Sequence, residues 1–127
     1  MKLLLIDKQD LSTFAREEVL RDQYHHIVDY AFTFDEFQQK YAVGKYRIVI
    51  VDFALEHGAK ALEEIDRLDP HQRVIILSAS DAYSEPHGCA YCVEHYNRRR
   101  LKKPVGVMDL ANMIRDFDYA SCSYYHD

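Results

Sequence analysis

Segments with the composition of β-strands, most of them apolar, recur along this chain at a regular interval. They begin near positions 2, 25, 47, 73 and 99, so the spacing is 22 to 26 residues. An apolar run without alternation is typical of a strand buried on both faces, as in a parallel sheet covered by helices. Strand–helix alternation at this interval indicates right-handed β–α–β crossovers. The pattern therefore predicts an α/β fold built on a parallel sheet.

The polarity pattern also gives approximate boundaries for each element. The predicted strands cover residues 2–6, 25–30, 47–52, 73–78 and 99–103. The predicted helices cover residues 11–23, the segment from a capping box at 33–36 to Gly44, residues 59–68 and residues 107–117. In the first helix we expect the core-facing stripe to consist of Phe14, Ala15, Val19 and Leu20.

Length and composition narrow the class of protein. A chain of 127 residues is expected to form a single domain over residues 1–127. The net charge of -5 argues against general binding to nucleic acid or to anionic membranes. The apolar run after Met1 is too short for a signal peptide or a transmembrane helix, so we expect a cytoplasmic protein. Neither a P-loop nor a GxGxxG motif is present, which leaves those modes of nucleotide binding without support.

Polar residues with complementary chemistry end four of the predicted strands. They are Asp7, Asp52, Ser78 and Lys103. Because the carboxyl ends of parallel strands share one edge of the sheet, where ligands bind in open α/β folds, we expect these side chains to meet. The set suits phosphoryl transfer to a carboxylate, with Asp52 as the nucleophile and Asp7 helping to hold Mg²⁺. Ser78 and Lys103 would contact the oxygens of the transferred group.

The sequence resembles the receiver domains of two-component response regulators, in particular the stand-alone chemotaxis type, over nearly its whole length. The segments that carry the resemblance are residues 3–7, 48–52, 74–79 with its Ser-Ala pair, and 101–104 with its Lys-Pro pair. The resemblance implies a doubly wound, five-stranded, flavodoxin-like sheet of order 2-1-3-4-5. It implies that Asp52 accepts phosphate from a histidine kinase, and that Asp7, Asp52 and the Ala54 carbonyl hold Mg²⁺. Ser78 and Lys103 would be the switch hydroxyl and the family's lysine.

Several positions depart from the family pattern. Lys8 stands where receivers usually carry a second acidic residue, so we expect weaker Mg²⁺ binding, with Lys8 partly standing in for the ion. Arg100 occupies the aromatic switch position, and the loop after Asp52 is short and lacks the usual proline. Residues 80–96, which contain Pro86 and Gly88, are expected to form an irregular segment that replaces much of the helix before the last strand.

Two functional interpretations follow from the resemblance and these departures. The first is a phosphoacceptor that is not an enzyme in its own right. It would receive phosphate at Asp52 from a histidine kinase or phosphotransfer protein and act through an unknown downstream protein. The alternative is a pseudo-receiver that serves as a protein-interaction module without phosphorylation.

A group of cysteines and a histidine suggests a separate metal site. Cys89 and Cys92 have CxxC spacing, and Cys122 and His126 lie far downstream with CxxxH spacing. Together these four residues could form a tetrahedral zinc site that ties the tail, residues 118–127, to residues 86–96. Two other interpretations stay open, namely cysteines without a ligand and a redox-active pair.

Overall fold

Strands and helices alternate through the chain in a computed structural model that describes residues 1–79 and 97–119. The strands are β1 (Lys2–Ile6), β2 (Ile27–Ala31), β3 (Ile48–Asp52), β4 (Arg73–Ser78) and β5 (Arg98–Lys102). The helices are α1 (Leu11–Asp22), α2 (Phe34–Lys40), α3 (Glu56–Leu68) and α4 (Val107–Tyr119). The predicted alternation is confirmed, and β1 and β4 have the predicted bounds.

All five strands are parallel and form one sheet in the order β2-β1-β3-β4-β5. This is the predicted doubly wound order. The register pairs Ile6 with Val51, and Asp52 with Leu77. Asp7 and Asp52, which end or follow neighbouring strands, therefore leave the sheet at the same level.

Helices cover the sheet on both sides and bury two separate apolar clusters. Successive residues of one strand point to opposite faces, so Leu3 and Leu5 belong to one cluster while Leu4 and Ile6 belong to the other. The first cluster also contains Leu20 of α1 and residues of α4, and the second contains residues of α2 and α3. Burial on both faces is the physical reason for the uninterrupted apolar runs in the sequence.

The predicted core stripe of α1 is correct at Leu20 and wrong at its other positions. The buried residues of this helix are Thr13, Glu17 and Leu20, whereas Ala15 is exposed and Val19 is only partly buried. Glu17 is tolerated at a buried position because its Oε1 accepts a hydrogen bond of 2.9 Å from Arg21 Nη1. Phe14 is 38% exposed and packs against the side of the sheet. Its ring lies 5.5 Å from that of Tyr30 and 5.8 Å from that of Phe32.

Helix α2 ends earlier than predicted, and helix α3 begins earlier. Thr33 caps α2 as expected, since its hydroxyl accepts a hydrogen bond from Glu36 N at 3.1 Å. The helix nevertheless ends at Lys40, and Gly44, with φ of 82°, lies in a turn beyond it. Helix α3 begins at Glu56, three residues before the predicted start. Leu68 at its end is 44% exposed.

Some predictions concern residues outside the described ranges. They are the irregular segment at 80–96, the tie between it and the tail, and the zinc ligands Cys89, Cys92, Cys122 and His126. Within the described ranges, no helix has the length and apolar character that spanning a membrane requires.

The buried hydroxyl of Tyr41 should make the stability of the protein depend on pH in the alkaline range. This hydroxyl donates a hydrogen bond of 3.0 Å to Gln72 Oε1, and burial raises the pKa of this phenol to about 12. An unfolded tyrosine has a pKa of about 10. The folded state therefore keeps a proton that the unfolded state loses, and stability should fall as pH rises from about 10 to about 12.

We expect Tyr41→Phe to make the free energy of unfolding less dependent on pH across this interval. Urea unfolding between neutral and alkaline pH measures the effect against the wild-type chain. Parallel pH profiles for the two proteins would contradict the assignment.

Candidate functional site

The carboxyl ends of the strands border a pocket of about 470 Å³, called here the carboxyl-edge pocket. Its lining residues come from the loops after β1 and β5, from α1, and from the ends of β3 and β4. They are Asp7, Lys8, Ser12, Arg16, Asp52, Leu77, Ala79, Lys103, Pro104 and Val105. The fold thus brings three of the predicted site residues, Asp7, Asp52 and Lys103, to one cavity.

Asp52 ends β3 and is 4% exposed. Its Oδ2 accepts a hydrogen bond of 2.6 Å from Lys103 Nζ, and its Oδ1 accepts one of 3.1 Å from Ala54 N. A buried carboxylate is costly unless it is paired, so the lysine supplies the charge that Asp52 needs. Residues 52 and 103 are distant in sequence, and their contact is the one that the strand-end pattern predicts.

Asp7 is buried to a similar extent, at 3% exposure, but its partner is a residue that the sequence did not reveal. Its Oδ2 accepts a hydrogen bond of 2.8 Å from Arg16 Nη1, and its Oδ1 accepts one of 2.8 Å from Lys8 N. Arg16 lies in α1 four residues after Ser12, and both line the pocket. In the sequence, the signal for Arg16 was its i, i+4 spacing from Ser12 on a helix that begins at the carboxyl edge of the sheet, because this spacing places both residues on one helix face.

The side chain of Lys8 does not take the place that the sequence suggested for it. Its Nζ lies 3.3 Å from Asp10 Oδ2, and the side chain is 61% exposed. Asp10 in turn caps α1, because its Oδ1 accepts hydrogen bonds from Thr13 N at 3.0 Å and Ser12 Oγ at 2.8 Å. The hydrogen bond from the Thr13 amide, followed by that from Ser12, holds the pKa of Asp10 well below its usual value. The cation beside Asp7 is therefore Arg16.

Ser78 and Ala54 are not among the lining residues of the pocket, but backbone atoms of both contact its charged residues. Ser78 is buried at the end of β4, and its carbonyl oxygen accepts a hydrogen bond of 3.0 Å from Lys103 N. This bond fixes the backbone of the lysine to the neighbouring strand. Ala54 contacts Asp52 through its amide N–H, whereas the resemblance assigned a role to its carbonyl. The chemical roles of Ser78 and Ala54 stay predictions.

Gly58 lies in the first turn of α3, although the sequence placed it in the preceding loop. A Cβ atom at this position would lie 2.1 Å from the carbonyl oxygen of Asp52 and 3.3 Å from Val51 Cγ1. Only glycine allows the helix to approach the end of β3 so closely. His57, also in this turn, places Nε2 3.0 Å from the Asp7 carbonyl oxygen, so α3 contacts both strand ends.

The pocket offers carboxylate oxygens, which are the type of ligand that a hard divalent cation prefers. Mg²⁺ prefers oxygen ligands and commonly binds proteins through one or two carboxylates while it keeps several waters. Asp7 and Asp52 provide two carboxylates, and both are already paired with protein cations. Among residues 1–79 and 97–119, no cluster of three or more His, Cys, Asp or Glu side chains could hold a metal ion.

Comparison with solved structures identifies the fold. The receiver domain of a response regulator from Clostridium thermocellum has a TM-score of 0.67 at 24% identity, over 92% of this chain and 93% of that one. The receiver domain of a sensor histidine kinase from Pseudomonas aeruginosa PAO1, with magnesium coordinated in its active-site cleft, has a TM-score of 0.72 at 18% identity, over 94% and 98%. A CheY-like receiver domain from Methanospirillum hungatei JF-1 has a TM-score of 0.69 at 19% identity, over 92% of each chain.

The chain therefore has the receiver-domain fold, as the resemblance in its sequence implied. Comparison of the sequence with protein-family models and with curated proteins gave no match.

Gly58→Ala tests whether close approach of α3 shapes the end of β3. The added methyl group must displace backbone atoms of Asp52, so we expect a loss of about 1–3 kcal/mol in the free energy of unfolding. Gly106→Ala is the matched control, because the nearest atom to its Cβ is a side-chain oxygen of Asp109 at 3.2 Å. Urea unfolding of both variants measures the difference. Equal losses would show that the contact with Asp52 is not the cause.

Proposed function

We propose that this chain is a phosphoacceptor receiver of two-component signalling that is phosphorylated at Asp52. The observation that carries the proposal is the hydrogen bond of 2.6 Å from Lys103 Nζ to Asp52 Oδ2. It keeps a carboxylate that is 4% exposed beside a fixed positive charge, in a pocket that can admit a donor group. A carboxylate nucleophile held next to a cation has the arrangement that phosphoryl transfer to a carboxylate needs.

The proposed donor is a phosphohistidine on a histidine kinase or a phosphotransfer protein. An oxygen of Asp52 attacks phosphorus in line, the new O–P bond forms, and the electron pair of the breaking P–N bond stays on the imidazole nitrogen. Lys103 then neutralises oxygens of the phosphoryl group, and the Ser78 hydroxyl hydrogen-bonds another. Catalysis of this kind comes mainly from positioning and charge. In this proposal the chain is a phosphoacceptor rather than an enzyme with its own substrate.

Asp7, Asp52 and the Ala54 carbonyl would hold Mg²⁺ in this proposal. When bound, the ion offsets negative charge on the transferring group. The fold brings the two carboxylates to one cavity, and Lys103 places its Nζ 2.6 Å from Asp52 Oδ2.

The output would pass to an unidentified protein partner in the cytoplasm. Phosphorylation adds negative charge at Asp52, and Ser78 and Lys103 would move toward it. These two residues end β4 and follow β5, so the surface around those strands is where a partner would detect the change.

A pseudo-receiver remains the second candidate, and one observation favours it. Both buried carboxylates already have cationic partners, Arg16 for Asp7 and Lys103 for Asp52. Because the charges of the pocket are balanced in this way, the chain can keep its fold without phosphorylation. It would then serve as a constitutive binding module. Under this alternative Asp52 is never modified.

A small-molecule phosphodonor separates the two candidates. We expect the wild-type chain, incubated with acetyl phosphate and Mg²⁺, to gain the mass of one phosphoryl group by intact mass spectrometry. Asp52→Asn should show no gain, because the amide is not a nucleophile. Asp116→Asn is the matched control, since it removes a carboxylate that is 71% exposed on α4 and should leave the gain unchanged.

The gain should also be lost on treatment with hydroxylamine, which cleaves acyl phosphates. Absence of any gain in the wild-type chain under all metal conditions would favour the pseudo-receiver.

A further inference from the structure

We propose that Arg16 is a built-in counter-cation that competes with a divalent metal ion for the carboxylate of Asp7. Arg16 Nη1 donates a hydrogen bond of 2.8 Å to Asp7 Oδ2, and the two side chains are 16% and 4% exposed. The guanidinium thus already supplies the positive charge that a metal ion would bring to this oxygen. The inference deepens the proposed function, because it concerns how the same pocket is regulated.

Both oxygens of Asp7 are occupied by donors from the chain. Oδ1 accepts the Lys8 amide at 2.8 Å, and Oδ2 accepts Arg16. An ionised carboxylate can accept further bonds, so the obstacle to an ion is mainly one of charge. A divalent cation at Asp7 would lie beside a guanidinium in a mostly buried site, where repulsion between like charges is stronger than in water. Arg16 must turn away before the ion gains full use of Asp7.

The charge balance of the pocket leads to the same conclusion. Each buried carboxylate has its own cation, Lys103 at 2.6 Å from Asp52 and Arg16 at 2.8 Å from Asp7. The third cation in the lining, Lys8, is paired with Asp10. A divalent ion would therefore add uncompensated positive charge to the unmodified protein. A phosphoryl group on Asp52 would supply the missing negative charge, so phosphorylation and ion binding should strengthen each other. This last consequence rests on the proposed function.

The position of Arg16 suits a group that can release its partner. Its side chain projects from α1, outside the sheet, and is 16% exposed. Lys103 differs, because its backbone N–H is also bound to the Ser78 carbonyl at 3.0 Å. Of the two cations, Arg16 is therefore the one whose departure disturbs the sheet least.

Binding of Mn²⁺ to the full-length unphosphorylated chain, measured by electron paramagnetic resonance, tests the proposal. We expect Arg16→Gln to bind Mn²⁺ at least about tenfold more tightly than the wild-type chain, the scale on which neighbours of a ligand change metal affinity. Arg115→Gln is the matched control, since it removes the same charge from an exposed side chain of α4 and should leave the affinity unchanged. Adding Asp7→Asn to Arg16→Gln should abolish the gain.

Two further variants separate charge from structure. Arg16→Met keeps the apolar stem without the charge and should show the gain, whereas Arg16→Lys keeps the charge and should stay close to the wild type. If neither charge-removing variant folds alone, recovery of the fold on adding Mn²⁺ would support the proposal, and failure to recover would overturn it. Unchanged Mn²⁺ affinity in folded Arg16→Gln would also overturn it.

Because Mn²⁺ binding is measured without phosphorylation, this test can fail while Asp52 still accepts phosphate. Conversely, a protein that never accepts phosphate could still show the gain in Mn²⁺ affinity.

Discussion

Two carboxylates are buried at the same end of a parallel sheet, and each is paired there with a positive side chain. Removing a charge from water costs several kcal/mol, which only a close counter-charge and hydrogen bonds can offset. Asp52 receives Lys103 from the loop after β5, and Asp7 receives Arg16 from α1. The two ion pairs thus connect the first helix and the last strand to the centre of the sheet. The charge distribution of the carboxyl-edge pocket depends on these two ion pairs.

The surrounding structure positions these groups through backbone contacts. The β1–β3 register places Ile6 beside Val51, so that the acidic residues following them share one level. The absence of a side chain at Gly58 lets α3 pack against the Asp52 carbonyl. A site assembled from separate segments of the chain keeps its geometry because rigid elements hold each segment.

Much of this arrangement could be predicted from the sequence, and the exceptions have a common cause. Strands buried on both faces produce uninterrupted apolar runs, so the order of elements and the contact between Asp52 and Lys103 followed from position alone. Helix α1 was misjudged because it buries Thr13 and Glu17, polar residues that a hydrophobic pattern assigns to solvent. Arg16 was missed for the same reason. Its role depends on how α1 is rotated and on which acid lies nearest, and both are set by tertiary contacts rather than by residue type.

The hydrogen bond from the Lys103 amide to the Ser78 carbonyl has a consequence for the speed of response. It joins the last strand to its neighbour at the point where the lysine begins, so the ammonium can swing while the strand stays still. Rotation of an unburied side chain takes picoseconds to nanoseconds, whereas sliding of a packed element takes microseconds or longer. A rearrangement confined to the Lys103 side chain would therefore be faster than one that slides β5 along β4.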